Sequence, residues 1–436
     1  MKTSLGVAGK LLLLLLAASV VRCSDVCTVT NKYYYMSPTY MTLDKLRASV
    51  RSEAPQELVQ AGKIYFKDNY LYVNEMGKGV HVIDNHDPSN PVHRSFINIP
   101  GNYDLAIYGN ILYADSYVDL VAIDVSVPGQ EHEVTRYKEM FSFYSNMRFT
   151  VSPEKGVIVG MSVAEEIVVN DGCNTAINTD GWGYYNDGLL MSYTTYSTMQ
   201  AQVKAPASVA PGNSAGIGGS MARFTITADH LYALDYQNLH VVNVTNPAVI
   251  DWKKKVAITW DVETIFPYNE NLFLGSQSGM HIYDISTADD PKMVTTFSHM
   301  KSCDPVVVDG EYAYVTLRTE SFCAGNINEL QVIDIGDINS PTHVSTFKMT
   351  NPHGLGIDHN VLFICDGSDG LKVYDATDKG KIDKNLKAHY KDIRAFDIIP
   401  FNNIAMMIAE DGLYQYDYSD LQKIRLLSKI DIKQVE

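Results

Sequence analysis

Positive charge is scarce in this 436-residue sequence: 35 lysines and arginines stand against 51 aspartates and glutamates, a formal net charge of −16. A nucleic-acid binder needs a basic footprint, so that class is set aside. Tryptophan is rarer still, at Trp182, Trp252 and Trp260. After Leu11–Val21 no apolar run approaches the ~20 residues of a membrane-spanning helix. No Cys-x-x-Cys pair occurs among Cys23, Cys27, Cys173, Cys303, Cys323 and Cys365, which removes the common zinc frameworks. Gly-x-Ser-x-Gly, His-Glu-x-x-His and a phosphate loop are missing too. No metal and no cofactor is therefore expected. What remains is a globular balance, 46% apolar and 20% charged, with 28 tyrosines. Tyrosine suits half-buried strands and contact surfaces equally.

The N-terminus is informative. Lys2 and Lys10 precede "LLLLLLAASVV", and Arg22 and Cys23 follow. A basic start, a short apolar stretch and small residues read as a secretory signal over residues 1–22. Cys23, directly after that stretch, is a candidate lipidation site, although Arg22 departs from the small residue usual before such a cysteine. Acyl chains there would anchor the chain to a membrane. Residues 23–60 read as an anchor or linker. Leu43, Leu46 and Val50 share a face at helical spacing, which predicts a short packing helix. In an oxidising compartment Cys303 and Cys323 could form a bridge; buried free thiols are the equal alternative.

The body of the chain, residues 61–436, repeats itself. "GVHVIDNHDPSNP", "DLVAIDVSVPGQ", "LHVVNVTNPAV", "MHIYDISTADDP", "LQVIDIGDINSP", "LKVYDATDKG" and "LYQYDYSDLQ" share one frame: alternating apolar residues, an acid or its amide, then a polar turn. Asp84, Asp124, Asn243, Asp284, Asp334, Asp375 and Asp417 hold the matching position. Asp84 and Asp124 are 40 residues apart, as are Asn243 and Asp284 within one residue, and Asp375 follows Asp334 by 41. Before each frame stands an apolar pair around a tight turn, as in "LAIYGNILYADS"; after it comes another alternating strand. Four strands in about 40 residues is the period of a β-propeller blade. "RFTVSPEKGVIVGMSVAEEIVVND", Arg148 to Asp171, reads as a worn copy with Asn170 at the acid position. The expectation is an all-β propeller of eight four-stranded blades, with seven as the alternative. Because Asp and Asn side chains bond to nearby backbone amides, the repeated acid reads as a turn-setter, which explains every copy at once. A Gly-, Asn-, Ser- and Tyr-rich stretch at about residues 172–219 breaks the period and reads as a long excursion.

"DLVAIDVS", "GVHVIDNHDPSNP" and "LQVIDIGDINSP" resemble the LVIVD repeat. Longer phrases, "INIPGNYDLAIYGNILYADSYVDLVAID", "GIGGSMARFTI" and "EDGLYQYDYS", are similar to the LVIVD lipoproteins of Bacteroidota. The resemblance spans nearly the whole chain after Cys23. It implies a propeller carried on an envelope lipoprotein and implies no activity. Export to the outer membrane, with display at the surface, follows as the expected localisation; secretion is the alternative.

Propellers usually work at the channel mouth, where the inner strands begin. Aligning those strands places Lys63, Asp104, Arg223, Glu263, Asp304, His353 and Asp397 there. Carboxylates with one histidine and two cations could hold a cation or a polar sugar; a solvated rim would look the same. "DGSDG" at Asp366 to Gly370 resembles half a calcium loop without its distal glutamate and reads as a hairpin turn. No tryptophan motif recurs per blade, which argues against a quinone-cofactor propeller enzyme. The expected function is a monomeric, non-enzymatic propeller that binds a partner protein or glycan and touches the membrane through its lipid anchor alone. The alternative is a polysaccharide hydrolase or lyase at the channel mouth, which requires paired carboxylates.

Overall fold

The computed structural model describes residues 28–141, 151–171, 184–185, 188–189, 215–235, 237–259, 262–298, 305–318 and 327–433. Residues 1–22, Cys23, Asp304, the Cys303–Cys323 pair and most of the 172–219 excursion lie outside them. The chain divides into two compact units, residues 1–40 with 158–200, and residues 41–157 with 201–436.

The second unit is a β-propeller of seven blades, each an antiparallel four-stranded sheet. Blade 1 comprises Ala61–Lys67, Tyr70–Glu75, Gly79–Asp84 and Val92–Asn98, and blade 2 Leu105–Tyr108, Ile111–Ser116, Asp119–Asp124 and His132–Tyr137. Blade 3 comprises Phe224–Thr227, His230–Asp235, Asn238–Asn243 and Asp251–Ala257, and blade 4 Val262–Tyr268, Asn271–Ser276, Gly279–Asp284 and Lys292–Ser298. Blade 5 comprises Val306–Asp309, Tyr312–Leu317, Glu329–Asp334 and Thr342–Lys348. Blade 6 comprises Leu355–Asp358, Val361–Cys365, Leu371–Asp375 and Leu386–Tyr390; blade 7 ends the chain with Ala395–Phe401, Ile404–Ala409, Gly412–Asp417 and Arg425–Asp431. The first strand of each blade packs against the first strands of its neighbours, and that of blade 7 returns to blade 1.

The count is seven and not eight because residues 151–171 do not form a blade. Val157–Asp171 is one 15-residue strand in the first unit, where it pairs with Thr28–Met41 in a sheet completed by Gly188–Leu189 and Tyr184–Tyr185. The segment has strand alternation but no internal turn to break it into the middle hairpin of a blade.

Inside each blade the repeated frame works as a strand and a turn. Its apolar residues are buried between neighbouring blades, in clusters that run continuously around the ring. A fully buried Val, Leu or Ile contributes about 1.5–3 kcal/mol. The repeated acid ends the third strand, and its Oδ1 accepts the amide two residues on in all seven blades: His86 to Asp84 at 3.1 Å, Ser126 to Asp124 at 2.8 Å and Thr245 to Asn243 at 3.1 Å. Ser286 to Asp284, Gly336 to Asp334, Thr377 to Asp375 and Ser419 to Asp417 follow at 2.7–3.0 Å. Asp68–Asn69, Ala228–Asp229, His359–Asn360 and Asn402–Asn403 take positive φ at both positions, the turn that matches strand twist in a two-residue hairpin. All seven outer strands carry a register shift against the third strand at the same place. A bulge there twists the exposed edge away from sticking to another chain.

Two devices complete the ring. The predicted helix is Leu43–Arg47, with Leu46 fully buried, and Arg47 forks onto the buried Asp119 of blade 2 at 2.8 and 3.1 Å. Arg51–Glu53 then pairs with the outer strand of blade 1 and covers its edge. Between blades 7 and 1, Asn85 and Gln415 exchange reciprocal side-chain hydrogen bonds at 2.7 and 2.8 Å, and Leu58 bridges Ile432.

Candidate functional site

The centre of the propeller is occupied by its own chain. Residues 215–222, "AGIGGSMA", which begin at the end of the excursion, arrive there, and Gly216 to Ala222 are all buried. Ile217–Gly218 adds a strand to the inner edge of blade 1, opposite Phe66 and Tyr65. Ala215 bridges Tyr108 of blade 2, and the Gly216 amide donates to Ile107 O at 3.0 Å. The Ile265 amide of blade 4 donates to Ala222 O at 2.7 Å. The Leu355 amide of blade 6 donates to Ser220 Oγ at 2.7 Å, and Ser220 N and Oγ donate to Asp397 Oδ1 of blade 7 at 3.1 and 2.8 Å. One short segment is thereby tied to five blades. Small residues are what such a narrow space admits: a Cβ on Gly216 would meet Tyr65 Cε1 at 2.2 Å and the Phe66 carbonyl at 2.9 Å.

Of the aligned residues that are described, only some share contacts, and they do not form one constellation. Lys63, Asp104 and Arg223 come together. The buried Lys63 ammonium pairs with Asp104 Oδ2, which also accepts the Arg223 amide at 2.7 Å, while Oδ1 accepts the Leu105 amide. Burial pulls the Lys63 pKa down against the pull of Asp104. Behind them Asp115 Oδ1 accepts the Tyr103 and Asp104 amides at 2.7 and 2.8 Å; burial nevertheless pushes its pKa up to about 6. His353 stands elsewhere, under the buried Arg318, whose Nη1 donates to His353 Nδ1 at 2.8 Å. Glu263 accepts from Gln277 Nε2 at 2.9 Å. Asp397 is fully buried, and burial raises its pKa to about 8 against the opposing Ser220 and Ile398 bonds and the Lys63 charge.

Other buried charges are tied in the same manner. The acid that ends the second strand meets a base on the third strand in His81–Glu75 at 3.3 Å and His240–Asp235 at 3.2 Å. Asp366, the first acid of "DGSDG", accepts the Thr350 and Asn351 amides and pairs with Lys372. Among the described residues no group of three or more His, Cys, Asp or Glu side chains is arranged to hold a metal ion.

Sequence reasoning did not reach Ser220, Gly216, Asp115 or Arg318. For the first two a signal was present: "GIGGSM" is a run of small residues with no strand alternation, beside a frame that otherwise alternates everywhere.

Comparison with known proteins bears on the fold. The LVIVD repeat model matches residues 60–97, 102–139 and 301–348, which are blades 1, 2 and 5. No curated protein matches the chain. Among solved structures it is similar to the computationally designed Ika8 protein, at 9% identity over 88% of this chain and 92% of that one, TM-score 0.49. It is also similar to BamB from Moraxella catarrhalis, at 7% identity over 89% and 97%, TM-score 0.47, and to a functionally unknown protein from Desulfotomaculum acetoxidans DSM 771, at 10% over 85% and 95%, TM-score 0.47. The second unit is a seven-bladed β-propeller, and three of its blades match the LVIVD repeat.

Proposed function

We propose that this protein is a non-enzymatic, envelope-anchored propeller that offers its outer surfaces to a partner protein or glycan. The observation that carries the reading is the plugged centre. Residues 215–222 fill the place where a propeller enzyme would admit substrate, and Asp104 is committed to Lys63 and two backbone amides. A glycosidase needs two carboxylates facing one substrate across a short gap. In this reading Asp397 ties the plug, Lys63, Asp104 and Arg223 tie neighbouring blades to one another, and recognition falls to the rims and the excursion. Anchoring rests on the leader: Leu11–Val21 followed by Cys23 suits lipidation, and Ser24-Asp25 suits onward transport to the outer surface of an outer-membrane lipoprotein.

The test is metabolic labelling with a lipid precursor in wild type and Cys23→Ser, followed by protease shaving of intact cells and a glycan array with the soluble chain. Label on the wild type alone, with cleavage of the chain on intact cells, is the expected result. An unlabelled wild type released into the medium would overturn the anchored reading. Turnover of a polysaccharide on the array would overturn the non-enzymatic one.

A further inference from the structure

Asp397 is a weak point of the centre. Its Oδ1 holds the Ser220 amide and hydroxyl and the Ile398 amide also lends the carboxyl support, while no donor meets its buried Oδ2 in hydrogen-bond geometry. Gly354 presses against the same carboxyl, where a Cβ would meet Oδ1 at 2.1 Å, so no side chain can be added there to answer the charge. The plug, residues 215–222, contains no titratable side chain. Lys63 of blade 1 acts on Asp397 through space but is already paired with Asp104, with Arg223 and Asp115 behind. On blade 6 the Cys365 thiol, itself pushed up by burial, and His353, held by Arg318 and Asn351, complete the surrounding groups.

We propose that Asp397 and Ser220 form a proton-controlled latch on the central plug: the neutral carboxyl keeps residues 215–222 seated, and the carboxylate favours their withdrawal. A neutral carboxyl can stay dry while Oδ1 accepts from Ser220. An ionised one forfeits its hydration with one oxygen unanswered, and regains it when the plug lifts and water enters. Burial raises this group, so its contribution to the closed state is full below about 4, the ordinary carboxylate value, and is lost as pH rises through about 8.

Hydrogen exchange of the Gly219, Ser220 and Met221 amides, corrected for intrinsic rates between pH 5 and 9, tests the latch. One linked proton makes the opening constant rise about tenfold per pH unit up to roughly pH 8 and then level off. Blade amides such as Leu120 and Val121 should stay protected across the range. Asp397→Asn keeps the Oδ1 acceptor and abolishes the slope. The proposal fails if Asp397→Asn follows the wild-type profile, or if plug and blade amides change together, which would mark global unfolding. Should Asp397→Asn not fold, Ser220→Ala leaves the titrating group in place and must raise opening at every pH with the slope retained. An unchanged plug in that variant overturns the latch as well.

Discussion

The joint between blades 7 and 1 is the place to test how this ring holds shut. Both faces of the joint come from distant parts of the chain, and among the described residues no strand crosses from one blade into the other. Gln415 is fully buried there; its Nε2 donates to Asn85 Oδ1 at 2.7 Å and to Ser428 Oγ at 3.2 Å, and its Oε1 accepts from Asn85 Nδ2 at 2.8 Å. Gln415→Ala leaves the buried Asn85 amide with neither partner. A buried polar group left unsatisfied costs about 1–3 kcal/mol, so two on one amide, with a small cavity, bring the loss to about 3–5 kcal/mol. Asn85→Ala orphans Gln415 in the same way. In the double variant no amide is left stranded, so its loss should fall short of the sum of the singles by about 1–3 kcal/mol. Urea denaturation followed by circular dichroism reads all four corners of this cycle. Singles that add to the double within about 0.5 kcal/mol would refute the reasoning, because they would mean that neither amide depends on the other.

Three further substitutions probe the turns, the plug and the N-terminal clamp. Asp124→Asn should be near neutral, since Asn243 performs the same turn naturally, whereas Asp124→Ala should cost about 1 kcal/mol in thermal or urea unfolding. Gly216→Val drives a side chain into the Tyr65 ring and the Phe66 carbonyl and should destabilise by about 1–3 kcal/mol, seen as a lowered Tm; an unchanged Tm would mean that the plug is not seated as described. Arg47→Ala removes the fork on Asp119 but leaves Arg136 bound to it, so a loss of about 1–3 kcal/mol is expected. Limited proteolysis should then cut within residues 48–57 before any blade, and simultaneous cleavage of both would count against a separate clamp.

The blades were legible because each is local. Alternation, a two-residue turn and an acid that bonds two residues on are settled within about 40 residues, and repetition lets seven copies support one another. The helix at Leu43–Arg47 was legible for the same reason. The number of blades was not: residues 157–171 alternate as a blade strand does, and pairing with Thr28–Met41 is a choice among distant partners. The site was harder still. Aligning inner strands picked out Lys63, Asp104, Arg223 and Asp397 as positions, but their partners come from other blades and, for Asp397, from Ser220, 177 residues away in the chain.

The sequence by itself determined the blade, because hydrophobic period and turn chemistry act between near neighbours. Tertiary structure alone decided that the ring closes at seven and that "GIGGSM" fills its centre. Space at the axis exists only once the blades have assembled, and only then do glycine's missing side chain and the buried Asp397 carboxyl acquire their meaning.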